Sequence, residues 1–299
     1  LLPFGGYKGS AISMMVELFA AGLTGDAFSY EAQEIDNNDG GPPKGGEFIM
    51  AMNPEIIAEP NWEEHCDDFF QKLSAIKGVL PDLLITPKQY FSNLSNKIEY
   101  GVISGPCHAE EVAQEKTSFL TISSNTSLRN NDFMKVFKTP FINVKMSTDI
   151  IGCEYSSILK NIYAIMVGIA SGLGYGDNFL AVLITASTNE LKRLLNHLDP
   201  KERSVSQPAY LGDLLVTCYS TYSRNRSLGT AIGKGLSVEN AIEDMTMVAE
   251  GYSATASLKK IITQMKIKKE APIVMRTYNI LYLEKEPKKE IKQLFSVMS

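Results

Sequence analysis

The run from Ile158 to Ala170 constrains this chain more than any other stretch. It is apolar on nearly every face, which suits a helix buried on all sides rather than one lying on a surface. Its only charge is Lys160. An ammonium inside such a helix is costly unless it is paired or partly neutralised. Lys160 therefore reads either as one half of a structural ion pair or as a catalytic group with a tuned pKa. A carboxylate set among apolar residues would meet it, and Asp213, within LGDLLVT at 211–217, is available.

The rest of the composition narrows the class. The chain has 299 residues, 44% of them hydrophobic, with a net charge of -5, an ordinary globular balance long enough for two domains. No Lys/Arg stripe stands out, which argues against nucleic acid. Cys66, Cys107, Cys153 and Cys218 are widely spaced without a C-x-x-C, and His65, His108 and His197 lack ligand spacing. A reduced, cytoplasmic setting with neither a disulfide framework nor a metal site is the expectation. No apolar run reaches the roughly 20 residues of a membrane span. The sequence opens at Leu1 inside a glycine-rich motif, so its natural beginning is expected upstream.

In chain order, GGYKGS and the apolar stretch after it predict a loop and a core helix capped at Ser10. Lys8 beside that helix start also suits an anion, but the loop lacks P-loop spacing. Asp36, Asn38 and Asp39 do not form a calcium loop, because Gly40 is out of register and no glutamate closes it. Residues 47–54 read as a strand and 60–75 as a polar-faced helix containing Trp62. From residue 76, VLPDLLIT, YGVISGP, SFLTISS and FINVKMS read as strands of an α/β layer. From about residue 148 only helices are predicted. Asp177-Asn178 and Ser223 are the expected N-caps, Gly233 and Gly235 a stop, and Pro272 a first-turn residue.

Two motifs add chemistry. YGVISGPCHAEEVA, 100–113, is a strand that turns at Gly105-Pro106 into a helix, with Cys107 placed for a cap or a substrate contact. Such a turn aims backbone N–H groups at whatever lies above the strand, though it is also a common βα connection. SRNRSLG, 223–229, gathers two arginines and an amide at a helix start, which suits a cluster of phosphate oxygens. Arg226 reads as part of a solvated basic turn.

IKGV, GPCHAEEVA, EYSSILKNIYAIMVGIASGLGYGDN, YLGDLLVT, SRNRSLG and VAEGY stand in the order and spacing of bacterial NAD(P)-dependent glycerol-3-phosphate dehydrogenases, and residues 76–299 resemble that family. The resemblance implies an α/β part followed by an all-α part. These are an incomplete Rossmann-like parallel sheet over 76–147 and a helical substrate-binding domain over 148–299. It implies interconversion of dihydroxyacetone phosphate and sn-glycerol 3-phosphate with NAD(P)H, feeding phospholipid synthesis, with a homodimer as a candidate assembly. Carried over by motif, Lys160 and Lys77 are the catalytic lysines and also touch substrate. Gly105, Cys107, Asp213, Ser223, Arg224 and Asn225 complete the substrate set. Lys77, Ala109, Arg224, Val248 and Glu250 contact the cofactor. Cys107 stands where the family usually has serine, so a weaker hydrogen bond is expected there.

The family's G-x-G-x-x-[GA] turn for the cofactor pyrophosphate is absent from this sequence. Instead LLPFGGYKGSAISMMVELFAAGLTGD and DGGPPKGGEFIMAMNPE, within residues 1–75, resemble the C-terminal part of the malate/L-lactate dehydrogenase-like family, which includes delta-1-piperideine-2-carboxylate reductase. The chain thus reads as a fusion with its junction near residues 73–78. Two alternatives to the dehydrogenase reading stand beside it: a catalytically impaired remnant, and a reductase of the lactate dehydrogenase-like type.

Overall fold

The computed structural model describes residues 84–94, 101–124, 134, 137–245 and 249–298. Contacts divide the chain after Lys77, and every described residue belongs to the second unit, Gly78–Ser299. The readings at Lys8, Ser10, residues 31–46, 47–54 and 60–75, together with Lys77 and Val248, lie outside the described residues.

Helix α1 (Pro87–Leu94) opens on a reciprocal cap: Thr86 N–H donates to Gln89 Oε1 at 2.8 Å, and Gln89 N–H to Thr86 Oγ1 at 3.4 Å. Of the strand expected over VLPDLLIT, residues 79–83 lie outside the described residues. Ile85 forms only an isolated bridge, and Thr86 is already spent on capping α1. Strands β1 (Gly101–Ser104), β2 (Ser118–Ser124) and β3 (Ile142–Ser147) form a three-stranded sheet in that order, with α2 (Ala109–Ala113) between β1 and β2. The sheet is mixed rather than wholly parallel. β2 and β3 are parallel, but β1 runs antiparallel to β2, pairing Ile103 with Ile122. Alternating apolar patterns set which face is buried and leave strand direction open.

Helix α3 (Ile150–Gly172) is the apolar run of the sequence and the core of the helical part, with every residue from Asn161 to Ala170 buried. Burying a single Leu or Ile side chain stabilises by roughly 1.5–3 kcal/mol, and Leu159, Ile162, Ile165 and Ile169 are fully enclosed. Asp149 caps α3 by accepting from Gly152 N–H at 3.1 Å. The same carboxylate meets Arg203 Nε at 2.6 Å, Lys201 Nζ at 2.6 Å and the Tyr210 hydroxyl. Burial works against its ionisation, but these donors outweigh it and bring its pKa down to about 2.

Around α3 lie α4 (Asp177–Leu198), a π-helical turn (Pro208–Gly212), α5 (Asp213–Tyr219), α6 (Arg224–Gly233), α7 (Val238–Glu243), α8 (Glu250–Gln264), α9 (Pro272–Leu283), α10 (Pro287–Lys292) and α11 (Phe295–Met298). The cap of α4 is Gly176, not Asp177-Asn178. Asp177 falls inside the first turn, where its charge complements the helix dipole. Ser223 caps α6 as expected, accepting from Arg226 N–H at 3.3 Å. Pro272 opens α9, whose next two N–H groups, of Ile273 and Val274, donate to the fully buried Glu190 at 2.7 and 3.0 Å. Burial lifts that carboxyl to about 7 against the pull of these two bonds.

α3 and α6 approach until their backbones touch. A Cβ on Gly168 would run into the Arg226 carbonyl, and one on Gly229 into that of Ile165, with Ile169 N at 2.9 Å. Residues four apart face the same side of a helix, so Gly168/Gly172 and Gly229/Gly233 form one seam. That seam fixes the N-terminus of α6, and the side chains it carries, against the middle of α3.

Candidate active site

Lys160 projects from α3 onto Asp213, the first residue of α5. Nζ reaches Oδ1 at 2.8 Å and Oδ2 at 2.9 Å. The carboxylate side chain is 3% exposed and the lysine 19%, so water reaches the pair from the lysine side only. The cost of burying this lysine is therefore met by an ion pair. The π-helical turn ahead of α5 aims Asp213 inward, and Thr217 Oγ1 donates to the Asp213 carbonyl at 2.7 Å one turn later.

The βα turn after β1 packs on the same spot. Gly105 has φ +122°, and a Cβ there would lie 2.7 Å from the Phe119 carbonyl, so the turn requires glycine. A Cβ on Gly212 would stand 3.6 Å from Pro106 Cγ. Cys107 follows; the cap of α2 is His108, whose side chain makes no capping bond. The Cys107 thiol is pushed up mainly by burial, with Asp213 and Glu111 adding to the shift, while a bond from Ser118 and the charge of Lys160 oppose it. The charges of both members of the ion pair thus act on the thiol. Ala109 opens α2.

A second group adjoins the first through the backbone of α3. Ser223 is buried at the cap of α6, followed by half-buried Arg224 and by Asn225, 8% exposed. Asn225 Oδ1 accepts from Gly251 N–H at 2.8 Å, which fixes the orientation of the amide because a backbone N–H requires an acceptor. Glu250 opens α8, and its Oε2 accepts from Asn161 Nδ2 at 3.2 Å. Arg226 is not a solvated turn residue: it is half-buried and donates from Nη1 to the Tyr219 carbonyl at 3.0 Å. The structure thus gathers Cys107, Lys160 and Asp213 in one cluster, and Asn225 and Glu250 in another beside it. Asn161, absent from the sequence-based set, joins the second cluster; its polarity inside an apolar run was the available signal. Among the described residues, no three His, Cys, Asp or Glu side chains are grouped to hold a metal ion, and no helix is long and apolar enough to cross a membrane.

Comparison with known proteins places this arrangement. The model of the NAD-dependent glycerol-3-phosphate dehydrogenase C-terminus matches residues 149–292, and that of the N-terminus matches 57–129. A glycerol-3-phosphate dehydrogenase [NAD(P)+] of Salinibacter ruber is 34% identical over 235 residues, 78% of this chain and 68% of that protein. The chain belongs to the NAD(P)-dependent glycerol-3-phosphate dehydrogenase family. A relative from Syntrophomonas wolfei is 39% identical over 65% of this chain and 56% of its own length. The chain thus spans between about half and two thirds of such dehydrogenases. The crystal structure of glycerol-3-phosphate dehydrogenase from Coxiella burnetii superimposes with a TM-score of 0.69 at 30% identity, covering 73% of this chain and 66% of that one. The enzyme of Saccharomyces cerevisiae, at 22% identity and TM-score 0.63, shares the fold. The model of malate/L-lactate dehydrogenase matches residues 1–87, overlapping the N-terminal dehydrogenase match from residue 57.

Proposed function

We propose that this chain acts on glycerol 3-phosphate and dihydroxyacetone phosphate as an NAD(P)-dependent oxidoreductase, using the pair Lys160–Asp213 at the substrate carbonyl. The observation that carries this reading is the bidentate contact of Lys160 with Asp213 beside the Ser223–Asn225 helix start. Reducing a ketone places negative charge on its oxygen, and a pre-oriented ammonium stabilises that charge or delivers the proton. Asp213 holds the Lys160 side chain in place through the bidentate contact. Arg224, Asn225 and the first N–H groups of α6 clasp the substrate phosphate, with Ser223 shaping the turn. Gly105 and Cys107 close the other side, and the family resemblance assigns Lys77 as the second lysine.

The family's cofactor is a nicotinamide dinucleotide, which supplies a hydride when bound. The residues fit one end of such a group: the Glu250 carboxylate suits hydroxyl and amide donors, and Arg224 suits a phosphate. The family resemblance assigns Ala109 and Val248 as further cofactor contacts. The glycine-rich turn for the pyrophosphate is not in the sequence. The match of residues 1–87 to the lactate dehydrogenase-like family favours a three-part organisation, 1–75, 76–147 and 148–299, arising by fusion. A cytoplasmic homodimer supplying glycerol phosphate for phospholipid synthesis completes the reading.

The test is oxidation of NADH or NADPH by the full chain with dihydroxyacetone phosphate, abolished by Lys160→Ala. A folded, soluble sample with no turnover overturns the reading. Saturable glycerol 3-phosphate binding in that sample would identify a binding remnant instead.

A further inference from the structure

We propose that Asn161 is a positioning residue that aims the Glu250 carboxylate, so that the helix carrying the catalytic lysine also sets the cofactor wall. The proposal rests on the reading of Glu250 as a cofactor contact. Asn161 sits in the most enclosed part of α3 and is 8% exposed. A buried amide there is costly unless its hydrogen bonds are made. Its Nδ2 donates to Glu250 Oε2 at 3.2 Å, across 89 residues of chain. The backbone carbonyl oxygen of Asn161 lies so close to Gly251 that a Cβ there would stand 2.7 Å away. From the other side, Asn225 Oδ1 takes the Gly251 N–H at 2.8 Å. The first turn of α8 is therefore clasped between α3 and α6, and the Asn161 amide donates from α3 to the carboxylate of Glu250. Gly251 permits the approach and Asn161 sets the direction.

The test is a double-mutant cycle on the full chain, read by NADPH fluorescence titration and not by turnover. Asn161→Ala should weaken NADPH binding by about tenfold, the loss typical of a hydrogen bond to a charged group. In a Glu250→Ala background the same change should cost less than about twofold, because its partner is gone. Glycerol 3-phosphate binding by calorimetry monitors the fold, and isosteric Asn161→Asp serves if Asn161→Ala does not fold. An equal loss in both backgrounds overturns the proposal. If the parent chain binds no NADPH, the cofactor reading of the site fails, and positioning is then read from the side-chain carboxyl 13C resonance of Glu250, assigned through Glu250→Gln. Displacement of that resonance by Asn161→Ala supports the role, and an unmoved resonance overturns it.

Discussion

Replacing Lys160 with Met keeps most of the stem volume and removes the charge, leaving a carboxylate at Asp213 that is 2% exposed. Two contacts, at 2.8 and 2.9 Å, disappear with it. Breaking a buried pair from one side costs ~3–5 kcal/mol, because the surviving charge stays in a poorly solvated place. Water reaches this pair at the lysine end, where the side chain is 19% exposed, so the lower end of that range, ~3 kcal/mol, is expected. Such a loss is large against a total stability of ~5–15 kcal/mol. Adding Asp213→Asn removes the stranded charge, and the double variant should recover ~1–3 kcal/mol relative to Lys160→Met alone. Urea unfolding at pH 7 measures all four corners of the cycle, with an unchanged m-value marking a comparable transition. Costs of the two single changes that simply add, within ~0.5 kcal/mol, would refute the claim that each charge is there for the other.

Three further outcomes follow from the same packing. Gly229→Ala forces a methyl against the Ile165 carbonyl and should lower stability by ~1–3 kcal/mol, visible as a drop in Tm, whereas Gly176→Ala, with open space around its Cβ, should cost less, only the poorer capping of alanine. The Asp149 carboxyl is held at about 2 against an ordinary 3.8, so its contribution is fully present above pH 4 and lost as the pH falls through 2. Asp149→Asn should therefore flatten the acid limb of the stability curve over that window in acid titrations. Cys107→Ser exchanges a weak thiol donor for a hydroxyl and should lower the KM for dihydroxyacetone phosphate by about fivefold, as steady-state kinetics would show.

Most of what the sequence made legible was decided within a few residues. The apolar run at 158–170 has one comfortable solution, a helix enclosed on all sides, and α3 is that helix. Ser223 before Arg224 is a local capping signal, and the cap forms. Distant pairing was readable where both partners stood out as lone charges among apolar residues, as Lys160 and Asp213 do across 53 residues, and not elsewhere. The Asp149–Arg203 contact spans 54 residues and that of Asn161 with Glu250 spans 89. The direction of β1 depends on how the turn at Gly105 packs, and no pattern within GVIS encodes it. The shift of the α4 cap from Asp177 to Gly176 is of the same kind, because an extended glycine can begin a helix that the next aspartate then steadies by charge alone.

The pairing of Lys160 with Asn161 shows how local and distant signals combine. Successive side chains on an α-helix point about 100° apart. One therefore meets Asp213 at the start of α5, and the other meets Glu250 at the start of α8. A single helix can hold two helix starts in register only if it is too well packed to rotate, and the glycine seam with α6 supplies that restraint. The apolar run that first constrained the fold is thus also what gives the site its geometry. A rotation of α3 large enough to relieve one contact would break the other, so changes in the seam at Gly168 or Gly229 should disturb the Lys160 and Asn161 contacts together.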